Sequence, residues 1–163
     1  MIISLKSKNK YLAYKLLETL ATSYFLLKFV MNSLKIQIPS ILENIRIVES
    51  FIDNVKDKYN INDDIYGNIM VAVTESVNNA IKHGNKMDRS KNVILSTQYE
   101  ENFVKFVIED EGEGFDYNNL PDPTSPERIE QLGGRGIFLM KHLSDEISFS
   151  KNGKAVELIF YFN

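Results

Sequence analysis

Glu75 and Asn79 are a carboxylate and a carboxamide that could take part in a reaction together. They are four positions apart, so in a helix both side chains lie on one face. A carboxylate there could take a proton from an attacking hydroxyl, and a carboxamide could offer a neutral oxygen to Mg²⁺. Two such groups on an apolar helix are costly unless something uses them, although they could also be solvated or cap a loop. His83, two turns after Glu75, is a secondary candidate for the base.

Asp110, Gly112 and Gly114 form an acidic turn after a predicted strand. Pro121 occupies the position of the closing glutamate of an EF-hand, and further acidic ligands are missing, so calcium is not expected. One interpretation is an ordinary turn in which the glycines supply positive φ. The functional interpretation is that the Asp110 carboxylate accepts a hydrogen bond from the amino group of an adenine. The glycines would then let the flat ring approach the backbone.

Gly134, Arg135 and Gly136 precede an apolar helical segment. Glycines at a helix start expose backbone N–H groups, and the helix dipole favours an anion there. An ordinary tight connection is the alternative. The segment is not a P-loop, because no Gly-Lys-Ser/Thr follows.

Hydrophobic periodicity predicts the helices and strands that carry these residues. Alternating apolar residues at 34–38 predict a strand, and Ser40 with Glu43 forms a capping box that predicts the start of a helix. A second helix is predicted to begin at the cap residue Asn62 and to end at Gly84 in the left-handed stop position. This second helix carries Glu75 and Asn79.

The second half of the chain predicts two strands, a helix and a hairpin. Their ranges are 93–99, 103–108, 137–143, and 146–150 with 155–162 around an Asn-Gly turn. Residues 116–132 have no strand pattern and hold three of the four prolines, which is typical of a functional loop or lid. The predicted fold is an α/β (α+β) two-layer sandwich. It has a mixed, mainly antiparallel sheet that helices cover on one face.

Composition limits the class of protein. The 163 residues suit one domain, and the absence of cysteine excludes disulfides and thiolate zinc sites. Residues 1–30 carry five Lys and one Glu, a net charge of +4, whereas residues 31–163 carry 14 basic and 21 acidic side chains, a net charge of −7. An acidic main body argues against direct nucleic acid binding.

The first thirty residues are expected to lie outside the main domain, which we predict at 31–163. Leu12, Leu16, Leu20 and Leu27 have helical spacing, but Glu18 interrupts the apolar run, so a membrane span is not expected. The segment is predicted to be an appended helix, or an over-long start ahead of Met31.

The order and spacing of the three motifs resemble those of the GHKL ATPases. This superfamily includes the ATPase domains of gyrase, heat-shock chaperones, histidine kinases and mismatch-repair proteins. The resemblance covers about residues 34–162 and identifies 116–132 as an ATP lid in a Bergerat-type fold. The matching motifs are Glu75-x-x-x-Asn79-Ala80 for the N box, Asp110-x-Gly112-x-Gly114 for G1, and Gly134-x-Gly136 for G2.

Within this superfamily the chain is most similar to the bacterial anti-sigma-factor serine/threonine protein kinases. The similarity is carried by the minimal domain and by three segments: Asn78-Asn79-Ala80, His83-Gly84, and 134–140 followed by Asp145-Glu146. The resemblance implies a cytoplasmic homodimer that uses ATP and Mg²⁺. It also implies two protein partners, a sigma factor and an anti-sigma-factor antagonist that is phosphorylated.

The resemblance also implies a role for each motif residue. Glu75 would be the general base, Asn79 the Mg²⁺ ligand and Asp110 the adenine contact. The remaining predicted nucleotide-binding residues are Gly112, Gly114, Gly134, Arg135 and Gly136.

Two other functions are compatible with the same motifs. A nucleotide-gated binding protein would sequester a partner without phosphoryl transfer, but it would not need Glu75 as a base. A histidine-kinase core is disfavoured, because nothing upstream supplies a phosphoacceptor helix.

Overall fold

The structure, a computed structural model, describes residues 2–117 and 135–162, without the side chains of residues 2–10, 13, 29, 31 and 135. These residues form two compact units that divide after Ser33. The predicted lid lies outside the described residues, except for its first two positions.

The first unit consists of helix α1, Ile2–Met31. Leu12, Leu16, Leu20 and Leu27, which suggested one apolar face, are each 59–68% exposed. Large apolar side chains such as Phe25 also lie between them, so the described apolar surface is not confined to one stripe. Of the helices in the described ranges, none has the length and apolar character needed to cross a membrane.

The second unit contains a sheet and three helices. Its elements are β1 (Ser33–Pro39), α2 (Ile45–Tyr59), α3 (Asp63–Asn79), β2 (Asn92–Tyr99), β3 (Phe103–Asp110), α4 (Arg135–Leu143), β4 (Glu146–Ser150) and β5 (Ala155–Tyr161). The strand order is β1-β2-β3-β5-β4, and the pairs β2–β3, β3–β5 and β5–β4 are antiparallel. The predicted α+β sandwich with a mainly antiparallel sheet is confirmed.

One face of the sheet forms the core with the helices. On β2 and β3 every second side chain is buried, because successive side chains of a strand point to opposite faces. The opposing layer is α2, α3 and α4, and α3 contacts both β3 and β5. The largest fully buried side chains of the sheet are Leu95, Phe106, Ile108, Leu158 and Phe160.

Helix α3 has the predicted start. The Asn62 side chain accepts a hydrogen bond of 3.0 Å from the Asp64 N–H, which satisfies one of the free donors of the first turn. Asp63 and Asp64 lie near the positive end of the helix dipole. The apolar residues Ile69, Val73 and Val77 then hold the helix on the sheet. This anchoring places Glu75 and Asn79 in its last turns.

Two details of the predicted helices are wrong. Residues 42–44 form a 3₁₀ turn, α2 begins only at Ile45, and no side chain caps the 3₁₀ turn. Ser40 is instead buried and accepts a hydrogen bond from Asn85, which is a long-range partner that local sequence does not indicate. Gly84 does not adopt a positive φ, because the helix continues through a π-helical turn. The left-handed residues come later, at Lys86 and Met87.

Candidate functional site

A cavity of about 290 Å³ lies where α3 meets β3, β5 and α4. Its helical wall is formed by Ser76, Asn79, Ala80 and His83, which have the spacing of one helical face. The other lining residues are Gly84, Ile108, Asp110, Gly114, Phe115, Ile137, Met140, Phe149, Gly153 and Val156. The volume is at the lower end of the range for small-molecule sites, about 300–1,000 Å³, which suits an aromatic base.

Glu75 and Asn79 approach the first turn of α4 together. A Cβ added to Gly136 would overlap Glu75 Oε1 and would lie 2.9 Å from Asn79 Nδ2. Real Cβ atoms do not approach other heavy atoms this closely, so only glycine fits here while both side chains keep their positions. The structure therefore brings the predicted helix-face pair against the predicted glycine turn, 57 residues further along the chain from Asn79.

Asp110 is the last residue of β3 and lines the cavity. Its Oδ1 accepts a 2.8 Å hydrogen bond from the Gly112 N–H. A Cβ on Gly84 would lie 2.5 Å from Asp110 Oδ2, and a Cβ on Gly112 would overlap the Gly84 carbonyl oxygen. The close packing of these two glycines brings the end of α3 next to the Asp110 carboxylate.

Burial has an electrostatic effect on Asp110. Desolvation raises the pKa of Asp110 above its usual value, while the Gly112 N–H and the positive charge of Lys154 act in the opposite direction. The net result is that the folded protein disfavours the ionised form when no ligand is present. A ligand that donates a hydrogen bond to this carboxylate would offset that cost.

Gly114 is the position in this turn that needs the conformational freedom of glycine. Its φ is +83°, and a Cβ there would overlap the carbonyl oxygen of Asn152. The next residue, Phe115, donates its N–H to the same carbonyl oxygen at 3.0 Å. The Phe115 ring meets Phe149 of β4 edge to face, with centroids 5.4 Å apart. Both rings line the cavity and give it an aromatic wall.

Asn85 connects the end of α3 to the acidic turn. Its side chain is fully buried, and Oδ1 accepts a 2.8 Å hydrogen bond from the Glu111 N–H. Its Nδ2 donates to Ser40 Oγ at 2.7 Å and to the Asn92 carbonyl oxygen at 2.9 Å. One carboxamide thus connects the segment after α3 to the residue after β1, to the first residue of β2 and to the residue after β3, and it fixes the backbone of the turn that follows Asp110.

The predicted site residues are placed as follows. Asn79, Asp110 and Gly114 line the cavity, and Gly136 lies against Glu75 and Asn79. Gly112 is buried beneath Gly84, so it supports Asp110 and is not one of the residues that line the cavity. His83 lines the cavity and is exposed. Gly134 and the side chain of Arg135 lie outside the described residues.

The site residues that were not predicted from the sequence include Phe149, Asn85 and Ser76. Phe149 had a detectable signal, since the alternation of Ile147 and Phe149 in a predicted strand places both on the core face. Asn85 and Ser76 had none, because a single polar residue, whether in a helix or directly after one, does not indicate what it contacts.

The described residues contain no cluster of three or more His, Cys, Asp or Glu side chains that could hold a metal ion. Glu75 and Asn79 supply one carboxylate and one carboxamide beside Gly136. Mg²⁺ usually retains several waters and takes one or two protein ligands together with substrate phosphates, so this donor set fits a shared site.

Comparison with known proteins is consistent with this geometry. A family model described as a histidine kinase-like ATPase domain matches residues 38–160. Two similar relatives, both named serine-protein kinase RsbW, come from Staphylococcus epidermidis and Staphylococcus aureus. They are 29% and 27% identical to this chain over 136 residues, and each alignment covers 78% of this chain and 86% of the relative.

A solved structure is also similar. It is a crystal structure of the RsbU and RsbW domains of a Mycobacterium tuberculosis protein, with a TM-score of 0.57 and 14% sequence identity. The match covers 80% of this chain and 32% of that longer chain. At this identity the likeness shows a shared fold.

Proposed function

The chain belongs to the histidine kinase-like ATPase domain family, and we propose that it is an anti-sigma factor with serine/threonine protein kinase activity. Its substrate would be an anti-sigma-factor antagonist, phosphorylated with ATP and Mg²⁺. The observation that carries the proposal is the packing of Gly136 against both Glu75 and Asn79, beside the cavity that contains Asp110. The names of the relatives, serine-protein kinases, support the same reaction.

The cavity suits the base of the nucleotide. Asp110 offers a carboxylate that can accept a hydrogen bond from the 6-amino group of adenine. Phe115 and Phe149 provide aromatic surface, and Ile108 and Met140 exclude water around the ring. Asp110 then orients the base, while the apolar wall supplies binding energy that does not depend on orientation.

The phosphate end of the nucleotide would lie toward Gly136 and the first turn of α4. Gly136 carries no side chain of its own at the first turn of α4, and the positive end of the helix dipole favours anionic oxygens. Asn79 would ligate Mg²⁺ through its amide oxygen. When bound, the metal ion neutralises charge on the phosphate oxygens.

Glu75 would accept the proton in this reaction. It is half-buried, and its carboxylate lies beside Gly136 and one helical turn before Asn79. In the proposed reaction the Ser or Thr hydroxyl of the antagonist gives its proton to the Glu75 carboxylate as its oxygen attacks the γ-phosphorus. The bond from the γ-phosphorus to the ADP oxygen breaks, and ADP leaves.

The proposed partners follow from the same assignment. A sigma factor would be the protein that is held inactive, and the antagonist would be the phosphoryl acceptor. We propose that the kinase acts as a cytoplasmic homodimer.

The test is phosphoryl transfer from γ-labelled ATP to candidate antagonist proteins of the same genome. Wild type should label a Ser or Thr of one candidate, and Glu75→Gln should reduce the rate about 100-fold or more, since general base catalysis contributes about 10²–10⁴-fold. Glu75→Gln should still bind ATP, because Glu75 is not one of the residues that line the base cavity.

Glu101→Gln is the matched control. It makes the same chemical change at an exposed position in the β2–β3 turn, at the opposite end of the hairpin from Asp110. Its transfer rate should equal that of wild type. ATP binding without transfer to any candidate would favour a nucleotide-gated binding protein. A Glu75→Gln variant with the wild-type rate would exclude Glu75 as the base.

A further inference from the structure

Ser76 is a buried hydroxyl group that the proposed reaction does not use. It lies on α3 next to Glu75, is 1% exposed, and lines the cavity. Its Oγ has no hydrogen-bond partner within the described parts of the chain. A buried polar atom without a partner is destabilising, and in a native structure it needs an explanation.

The other described hydroxyls in the helices of the main domain show what Ser76 could do instead. A Ser or Thr in a helix commonly donates its hydroxyl to the carbonyl oxygen four residues earlier. Two such pairs occur within helices, Ser50 with Arg46 at 3.0 Å and Thr74 with Met70 at 2.6 Å, and Ser144, directly after α4, bonds in the same way to Met140 at 2.6 Å. Ser76 does not bond to Ala72 in this way, and its side chain is available to the cavity.

The other polar side chains of the cavity do not provide an equivalent group. Asp110 is an acceptor when it is ionised. Asn79 presents its Nδ2 toward Gly136, and His83 is exposed. Among the described lining residues, Ser76 is therefore the buried hydrogen-bond donor that is left for a ligand.

We propose that the Ser76 hydroxyl donates a hydrogen bond to N1 of the adenine ring, while Asp110 accepts one from the neighbouring 6-amino group. This inference rests on the proposed function, because it assumes that ATP occupies the cavity. Donor and acceptor together match the Watson–Crick edge of adenine. Guanine reverses both groups, since it has an acceptor at position 6 and a donor at N1. Ser76 is then a specificity-determining residue for the nucleotide.

The test compares ATP with 1-deaza-ATP, in which a C–H group replaces N1. Dissociation constants for both nucleotides are measured by isothermal titration calorimetry with wild type and Ser76→Ala. Ser76→Ala should bind ATP about two- to tenfold more weakly, the range expected for one hydrogen bond. Wild type should bind 1-deaza-ATP more weakly by a similar factor. Ser76→Ala should bind 1-deaza-ATP with the same affinity as wild type, because the bond is already lost.

Thr97→Val is the matched control. Thr97 is another buried hydroxyl without a partner among the described residues, but it lies on β2 and is not one of the residues that line the cavity. Its substitution should leave the affinity for ATP unchanged. Thermal unfolding of the ligand-free proteins is a second readout. Ser76→Ala should be at least as stable as wild type, whereas a structural role for this hydroxyl would make the variant less stable.

The outcomes separate this inference from the proposed function. If wild type binds no ATP, the proposed function fails, and this inference fails with it. If wild type binds ATP and Ser76→Ala binds it equally well, only the role of Ser76 is refuted. An equal loss of affinity for ATP and for 1-deaza-ATP would also refute it, because Ser76 would then act elsewhere than at N1. Ser76→Cys, which keeps the size and weakens the donor, should fall between wild type and Ser76→Ala.

Discussion

Asn85→Ala should strongly destabilise the main domain. The Asn85 side chain is fully buried and makes three hydrogen bonds of 2.7–2.9 Å. Each such bond contributes about 1 kcal/mol net, so the expected loss in the free energy of unfolding is about 3 kcal/mol. This is at the high end of the usual effect of single substitutions, about 0.5–3 kcal/mol.

The assay is urea unfolding followed by circular dichroism, since the chain contains no tryptophan. Asn44→Ala is the matched control, because Asn44 makes a single side-chain hydrogen bond, to the Pro39 carbonyl oxygen at 2.9 Å, in an exposed setting. That variant should lose about 1 kcal/mol or less. Asn85→Ala should also weaken ATP binding in buffer, because the backbone of the turn that follows Asp110 loses the hydrogen bond from the Glu111 N–H to Asn85 Oδ1.

A loss below about 1 kcal/mol for Asn85→Ala would refute this reasoning, because one bond in an exposed setting already accounts for that much. It would mean that the Asp110 turn keeps its position through backbone contacts alone, such as the 2.9 Å bond from the Asp110 N–H to the Lys154 carbonyl oxygen.

Two further predictions concern the site itself. Gly136→Ala should slow phosphoryl transfer about 100-fold, because the new Cβ overlaps the Glu75 carboxylate and a displacement of about 1 Å can cost this much. Gly67→Ala, where a Cβ meets no atom within 4 Å, should transfer at the wild-type rate in the same assay, and equal rates for both variants would contradict the steric argument. Asp110→Asn should abolish ATP binding but stabilise the ligand-free protein at pH 7. The pKa of Asp110 is raised in the folded protein, so ionisation of this carboxyl group lowers the stability of the wild type as the pH rises from 3.8 through the raised value. In urea unfolding at pH 4 and pH 7, the difference in the free energy of unfolding between variant and wild type should be smaller at pH 4. A variant that is less stable than wild type at pH 7 would contradict the expected stabilisation.

Much of the fold could be predicted from local patterns. The alternation of apolar residues located the strands, and the Asn-Gly pair located the β4–β5 hairpin, where Lys151 and Asn152 take positive φ. Asn62 was correctly predicted as the cap of α3, because capping involves residues two or three positions apart. These signals were sufficient because each depends on neighbours within a few residues.

The start of α2 and the end of α3 were mispredicted for one shared reason. Ser40 has the residue type of a helix cap, but its hydroxyl bonds to Asn85, 45 positions away. Gly84 has the residue type of a helix stop, but here the absence of a side chain makes room for the Asp110 carboxylate, which a Cβ at this position would overlap. In both places a long-range contact decided the role of a residue that local rules assign differently.

The order of the helices and strands and the three motifs could be read from the sequence, because periodicity and spacing are properties of the chain. The sequence also paired Glu75 with Asn79, since one helical turn separates them. The contact of this pair with Gly136, and the position of Ser76 and Asp110 in one cavity, become visible only in the folded molecule. These contacts arise because α3 packs against β3 and α4, and packing joins residues that are far apart in the chain at distances that no local sequence pattern indicates.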